Sequence, residues 1–168
     1  MPWHILILCT GNSARSILAE SLFNRLGAGR MVAHSAGSHP KGTVHPLALQ
    51  LLQSEGMPIA GLRSKSWDEF AAPGAPRQDM VITVCDNAAG EVCPIWPGQP
   101  LVAHWGIADP AAATGSEAER RVAFRKAYDE LAGRVRALLA LPEVARGALP
   151  SQADLRRIGR ESAGSTVQ

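Results

Sequence analysis

Ile5-Leu6-Ile7-Leu8-Cys9-Thr10-Gly11-Asn12-Ser13-Ala14-Arg15-Ser16-Ile17-Leu18 is the stretch that decides the fold of this 168-residue chain. Four consecutive apolar residues leave no polar face, the pattern of a strand buried on both sides in a parallel sheet. Cys9-Thr10-Gly11-Asn12 breaks that run with a turn. Beyond it Leu18, Leu22 and Leu26, with Ala19 and Phe23 beside them, recur every three or four positions until the stop signals Gly27 and Gly29. The unit is strand, loop, helix.

The same alternation continues outward. Met31 to Ser35 reads as a second strand, and Pro46 opens a second helix through Leu47, Leu51 and Leu52 that Gly56 can end. Met80 to Val84, rich in β-branched residues, is a third strand that runs into Cys85, and Leu101 to His104 is a fourth. Ser116 and Glu119 form a capping box for a long helix carrying Phe124, Tyr128, Leu131, Val135 and Leu138. Strands alternating with helices predict an α/β, doubly wound parallel sheet with helices on both faces, whose ligands bind beyond the strand C-termini. Cys9 and Cys85 both fall there. Residues 1–141 read as one domain, and Pro142 starts a polar extension, 142–168, with Arg146, Arg156, Arg157 and Arg160. Leu155 and Ile158 make too small an apolar stripe to fix a helix independently, so this extension is expected to be mobile or lightly docked and dispensable for chemistry.

Composition narrows the function classes. Hydrophobic residues at 46% and charged residues at 19% are ordinary globular usage, which excludes disordered and fibrous chains. Seventeen Lys and Arg against fifteen Asp and Glu leave a net charge of +2 with no basic run, so no nucleic-acid partner is expected. The longest apolar runs fall far short of the ~18 residues of a membrane span, and no basic n-region precedes Ile5, which predicts a cytoplasmic protein without a membrane partner. Three cysteines, Cys9, Cys85 and Cys93, are an odd set that favours reactive thiols over a structural disulfide framework.

The loop after the first strand carries the chemistry. Its backbone N–H groups and the positive end of the following helix suit a tetrahedral oxyanion, with Thr10, Gly11, Asn12, Ser13, Ala14, Arg15 and Ser16 as the expected cradle. Arg15 offers a fork of donors to two oxygens, and the same field is expected to lower the Cys9 pKa into the ~3.5–7.5 range of activated thiols. The bland alternative is an inert buried thiol beside a solvated arginine. A nucleotide-binding Walker loop is excluded by the missing Lys. Asp109 precedes Pro110, which restricts it to extended geometry and suits a loop holding a carboxylate over the oxyanion; an Asx turn is the alternative.

Cys-Thr-Gly-Asn-Ser-x-Arg-Ser at 9–16, His-Ser-Ala-Gly at 34–37, Val-Cys at 84–85, Cys-Pro at 93–94 and His-Trp-Gly-x-x-Asp-Pro at 104–110 occur together. In this combination the chain, over about residues 4–140, resembles the low-molecular-weight tyrosine phosphatases and, more closely, the arsenate reductases that share their fold. The resemblance implies a four-stranded parallel sheet and reduction of arsenate to arsenite, with phosphate and sulfate as competing anions. It implies Asp109 as the acid that protonates the leaving oxygen. Cys85, at the same rim of the sheet as Cys9, would attack the Cys9 sulfur, and Cys93 would then attack Cys85 and free Cys9. No tightly bound cofactor is implied, only an external thiol reductant, thioredoxin or glutathione with glutaredoxin. A metal site is not expected, since zinc would need a Cys-x-x-Cys pair that the chain lacks. The alternative is a phosphatase working through a phosphocysteine. Ala111, Ala112 and Ala113 stand where phosphatases place aromatic residues to line a phosphotyrosyl cleft, which favours a small inorganic substrate. A non-enzymatic arsenite sensor is a third class, for which the DNA-binding charge pattern is missing.

Overall fold

A computed structural model of the chain describes residues 2–85, 96 and 98–161. Four strands, β1 (Trp3–Leu8), β2 (Met31–Ala36), β3 (Met80–Thr83) and β4 (Leu101–His104), form one sheet in the order β2-β1-β3-β4, every pair parallel. The doubly wound α/β layout expected from the alternation is the one found. Ile5, Leu6, Ile7 and Leu8 are all fully buried because β1 is a central strand covered on both faces. Their side chains divide by the two-residue period of a strand: Ile5 and Ile7 enter the larger core, Leu6 and Leu8 the smaller one.

The larger core lies under α1 (Arg15–Leu26), α2 (Pro46–Ser54) and α4 (Glu117–Ala140). Helix α4 starts at the capping box of Ser116 and Glu119, as read from the sequence, and buries Phe124, Leu131, Val135 and Leu138. The opposite face is thinner. Among the described residues it is covered by the single turn α3 (Asp68–Ala71), with Phe70, Trp67 and Trp96 packed on Leu6, Leu8 and Val81. Four residues are too few to show a helical period, which is why the sequence did not mark α3.

The expectation of a mobile or lightly docked extension is corrected for its described part. Residues 142–160 contain α5 (Pro142–Ala145) and α6 (Gln152–Arg160), and Val144, Leu155 and Ile158 are buried in the same core as α1 and α4. Two residues make a weak stripe on an isolated helix. Here the edge strand β4 and α4 supply the surface they need, and fully burying a side chain of this kind stabilises by ~1.5–3 kcal/mol. No helix among the described residues is long and apolar enough to cross a membrane.

The strand order sets the position of the chemistry. The chain reverses its winding between β1 and β3, which opens a crevice at the C-terminal ends of those two strands. In register, Leu8 lies beside Thr83, so Cys9 and Cys85 leave the sheet side by side although they are far apart in sequence.

Candidate active site

Cys9 to Ala14 join β1 to α1. The carbonyls of Thr10, Gly11 and Ser13 accept hydrogen bonds from the backbone N–H groups of His39 (3.0 Å), Lys41 (3.0 Å) and His45 (2.9 Å). With these acceptors occupied from outside, the loop offers donors to an anion. Ala14 caps α1 but has no side chain that could bond the first turn, and that turn contains no acidic residue. The orphan N–H groups and the positive end of α1 are therefore left for an external anion.

Asn12 shapes the loop. Its φ of 45° is left-handed, a conformation Asn tolerates better than most residues, and the side chain is wholly buried. Its Nδ2 donates to Ser16 Oγ (2.8 Å) and Ser35 Oγ (2.9 Å), and its Oδ1 accepts from the Lys65 backbone (2.9 Å). Ser35 Oγ in turn donates to Glu20 Oε1, 4.0 Å from the buried Lys65 Nζ. Burial pushes the Glu20 carboxyl up and the Lys65 amine down, and each group's charge opposes the other's shift. A buried polar network of this kind holds the loop from behind because leaving any member unpaired is costly.

A cavity of about 220 Å³ opens on the front of the loop, lined by residues 9–15 with His39, Lys41, Asp109 and Ala111. Of the cradle expected at 10–16, only Ser16 is absent from the lining. It sits wholly buried in the first turn of α1 and accepts from Asn12 instead. Arg15 Nη1 donates to the Ile107 carbonyl (3.1 Å), while Nη2 lies 3.6 Å from Asp109 Oδ2. Asp109 Oδ1 accepts from the Ala111 backbone (3.0 Å), fixing the carboxylate at the start of the 3-10 turn Pro110–Ala112. The Asp109 carboxylate and the Arg15 guanidinium thus face one another across the cavity mouth. Two cations, Arg15 and Lys41, against one carboxylate give the cavity a positive field.

Beneath the loop lie two thiols that are not joined in a disulfide, Cys9 at 6% and Cys85 at 3% exposure. They lie side by side at the ends of β1 and β3, and Cys85 Sγ accepts from the Thr10 backbone N–H at 3.3 Å. The expected lowering of the Cys9 pKa is reversed in this arrangement. The hydrogen bond with Cys85 and then burial push the Cys9 thiol up, against the Arg15 charge and the Gly11 N–H, which pull it down. Folding therefore holds this proton more tightly than the unfolded chain does. Its contribution to stability is complete below about pH 8.5 and is lost as pH rises above that. Cys93 lies outside the described residues.

The family described as low molecular weight phosphotyrosine protein phosphatase matches residues 4–148. The chain belongs to that family. It is 36% identical over 132 residues to the arsenate reductase of Halalkalibacterium halodurans, covering 79% of this chain and 91% of that one. Among solved structures, an arsenate reductase in the phosphate binding state superposes with a TM-score of 0.67 at 28% identity, covering 82% of this chain and 97% of that one. The thioredoxin-dependent arsenate reductase of Corynebacterium glutamicum gives 0.59 at 25% identity; the match covers 82% of this chain and 60% of that longer protein.

Within this family member the sequence reading missed Lys41 and His39. Neither sits in a periodic segment, and both reach the cavity only because residues 37–45 wrap the loop by backbone hydrogen bonds. Gly37, part of the quoted His-Ser-Ala-Gly motif, explains the closeness of that wrap: a Cβ there would lie 2.4 Å from the Thr10 carbonyl and 2.5 Å from that of Cys9. Gly37→Ala should therefore shift the loop, destabilise by ~1–3 kcal/mol and weaken phosphate protection of Cys9 against alkylation. Wild-type melting and protection would show that the wrap can yield. Cys85→Ala removes the largest upward influence on Cys9. Alkylation of Cys9 by iodoacetamide at pH 7.5 should then accelerate roughly tenfold, because more of the thiol is ionised. An unchanged rate would mean that Cys85 does not restrain that proton.

Proposed function

We propose that this protein reduces arsenate to arsenite, with Cys9 as nucleophile, Arg15 as oxyanion clamp, Asp109 as acid, and Cys85 and Cys93 as relay thiols. The observation that carries the reading is the pair of buried thiols, Cys9 and Cys85, brought side by side beneath an anion-sized cavity. A phosphatase requires only the first thiol. The arsenate reductase names of its relatives point the same way.

Arsenate enters the loop with its oxygens on the backbone donors and Arg15. Cys9 passes its proton to an oxygen of the bound arsenate as its sulfur bonds to arsenic, and that oxygen departs as water with a second proton supplied by Asp109. A second thiolate, Cys85, then attacks Cys9 sulfur. The sulfur–arsenic bond breaks, its electron pair stays on arsenic, and arsenite leaves as Cys9 and Cys85 become a disulfide. Two thiols lose two electrons and As(V) gains them. Cys93 attacks Cys85, releasing Cys9 as thiolate, and an external dithiol reduces the Cys85–Cys93 bond. Thioredoxin or glutaredoxin with glutathione is the proposed reductant; the dependence of the Corynebacterium glutamicum enzyme on thioredoxin favours the first. A reducing cytoplasm suits two buried thiols that are not joined in a disulfide.

Phosphate and sulfate, with the same tetrahedral oxygens, are the expected competitors. The cavity is smaller than the ~300–1,000 Å³ of organic ligand pockets, and Ala111 at its rim offers no ring to stack on a phosphotyrosyl group. Purified protein should release arsenite when supplied with arsenate and thioredoxin, thioredoxin reductase and NADPH. Hydrolysis of p-nitrophenyl phosphate without arsenite release under either reductant would establish the phosphatase reading instead.

A further inference from the structure

We propose that α6, which lies beyond the family match at residues 4–148, belongs to the catalytic assembly and positions the Asp109 loop through Arg134 and Trp105. The inference rests on the reading of Asp109 as the acid. Residues 105–109 connect β4 to that carboxylate, and three elements hold them. From the sheet, the Thr83 carbonyl accepts from the Trp105 N–H (2.7 Å) and that of Val84 from Ile107 (3.3 Å). From the anion loop, Arg15 donates to the Ile107 carbonyl. From behind, Arg134 Nη1 donates to the preceding carbonyl, Gly106, at 3.0 Å. Two guanidinium groups thus grip consecutive carbonyls of the segment that ends in the acid.

Arg134 stands on α4 and is 8% exposed, and burial pushes its pKa down. A buried guanidinium needs acceptors, and α6 supplies one: Arg134 Nε donates to the carbonyl of Glu161, the cap at the negative end of that helix, at 3.4 Å. Trp105, fully buried, donates its Nε1 proton to the Leu155 carbonyl of α6 at 2.9 Å. Gly159 is pressed so closely against the start of the loop that a Cβ would lie 2.3 Å from the His104 carbonyl and 2.4 Å from Trp105 Cδ1. Gln152 fixes the height of α6 on the sheet edge, since its side-chain amide both accepts from the Val102 N–H (3.2 Å) and donates to the Val102 carbonyl. Arg134 and Trp105 are therefore positioning residues. They act on the chemistry through Asp109, and neither lines the cavity.

The decisive variants are Arg134→Met, which keeps bulk while removing both hydrogen bonds, and Arg134→Lys, whose ammonium can still reach one carbonyl. Truncation after Ser151 tests the helix directly, and if that protein fails to fold the Arg134 pair decides. Arg134→Met should slow single-turnover arsenite release roughly tenfold, a fraction of what a general acid contributes. Phosphate protection of Cys9 should stay within about twofold, because the anion loop is untouched. Arg134→Lys should recover most of the rate. In an Asp109→Asn background Arg134→Met should cost nothing further, the non-additivity of residues acting through one group. A wild-type rate for Arg134→Met, a full additional loss in that background, or a fall in rate matched by equal loss of phosphate protection would overturn the inference. Failure of the functional reading looks different: wild type would release no arsenite, or Asp109→Asn alone would be silent. In the first case the same variants are compared on phenyl phosphate, whose basic leaving oxygen needs the same proton, with the same outcomes deciding. A silent Asp109→Asn in both reactions would overturn the inference as well.

Discussion

Cys9→Ser should abolish arsenite formation, by at least about 10⁴-fold, with little change in melting temperature. The hydroxyl is not ionised at neutral pH, and an oxygen bound to arsenic cannot be attacked by Cys85 to give a disulfide, so both halves of the reaction fail. The fold should tolerate the exchange because Cys9 is held at the end of β1 by backbone bonding, its N–H donating to the Ala36 carbonyl at 3.2 Å. A serine hydroxyl can also keep the contact with Cys85. Arsenite is measured by quenching the reaction after one and after many turnovers, and residual multiple turnover would remove Cys9 from its role.

Cys93→Ala should release about one arsenite per protein and then stop with Cys9 joined to Cys85. The reason is access. Cys9 and Cys85 are 6% and 3% exposed, so a disulfide between them lies beneath the loop where an external dithiol cannot reach it in line. A third thiol must carry the oxidising equivalents outward, and Cys93 is the remaining cysteine of the chain. Peptide mapping of the stalled protein should find the Cys9–Cys85 bond. Sustained turnover with thioredoxin in this variant would show that the buried bond is reduced directly.

The loop between β1 and α1 was legible because its determinants are local. The run Ile5 to Leu8 specifies a buried strand, Leu18 and Leu22 specify the helix after it, and the residues between are forced into a turn whose amides point at a helix start. Cys9, Arg15 and the capping box of α4 belong to the same class of feature. The quoted motifs around Gly37, Cys85 and Asp109 located further pieces only through resemblance, since nothing in their own spacing shows that they meet.

By itself, then, the sequence determined the alternation of strands and helices, the turn that places Cys9 and Arg15 between a buried strand and a helix start, and the unusual set of three thiols. Tertiary structure decided the rest, each time because a partner distant in sequence supplies most of the interaction. Cys85 reverses the expected direction of the Cys9 pKa, an effect that exists only because β1 and β3 are neighbours. Lys41 and His39 enter the cavity through hydrogen bonds that tie residues 37–45 to the loop, and Lys65 reaches Asn12 and Glu20 from a segment with no period of its own. The extension after Leu141 looked dispensable because Leu155 and Ile158 alone cannot hold a helix. Against β4 and α4 the same two side chains are buried, and α6 is fixed beside the segment that leads to Asp109. Propensity and period are summed along a few turns of chain, whereas burial and charge pairing depend on what the fold brings alongside.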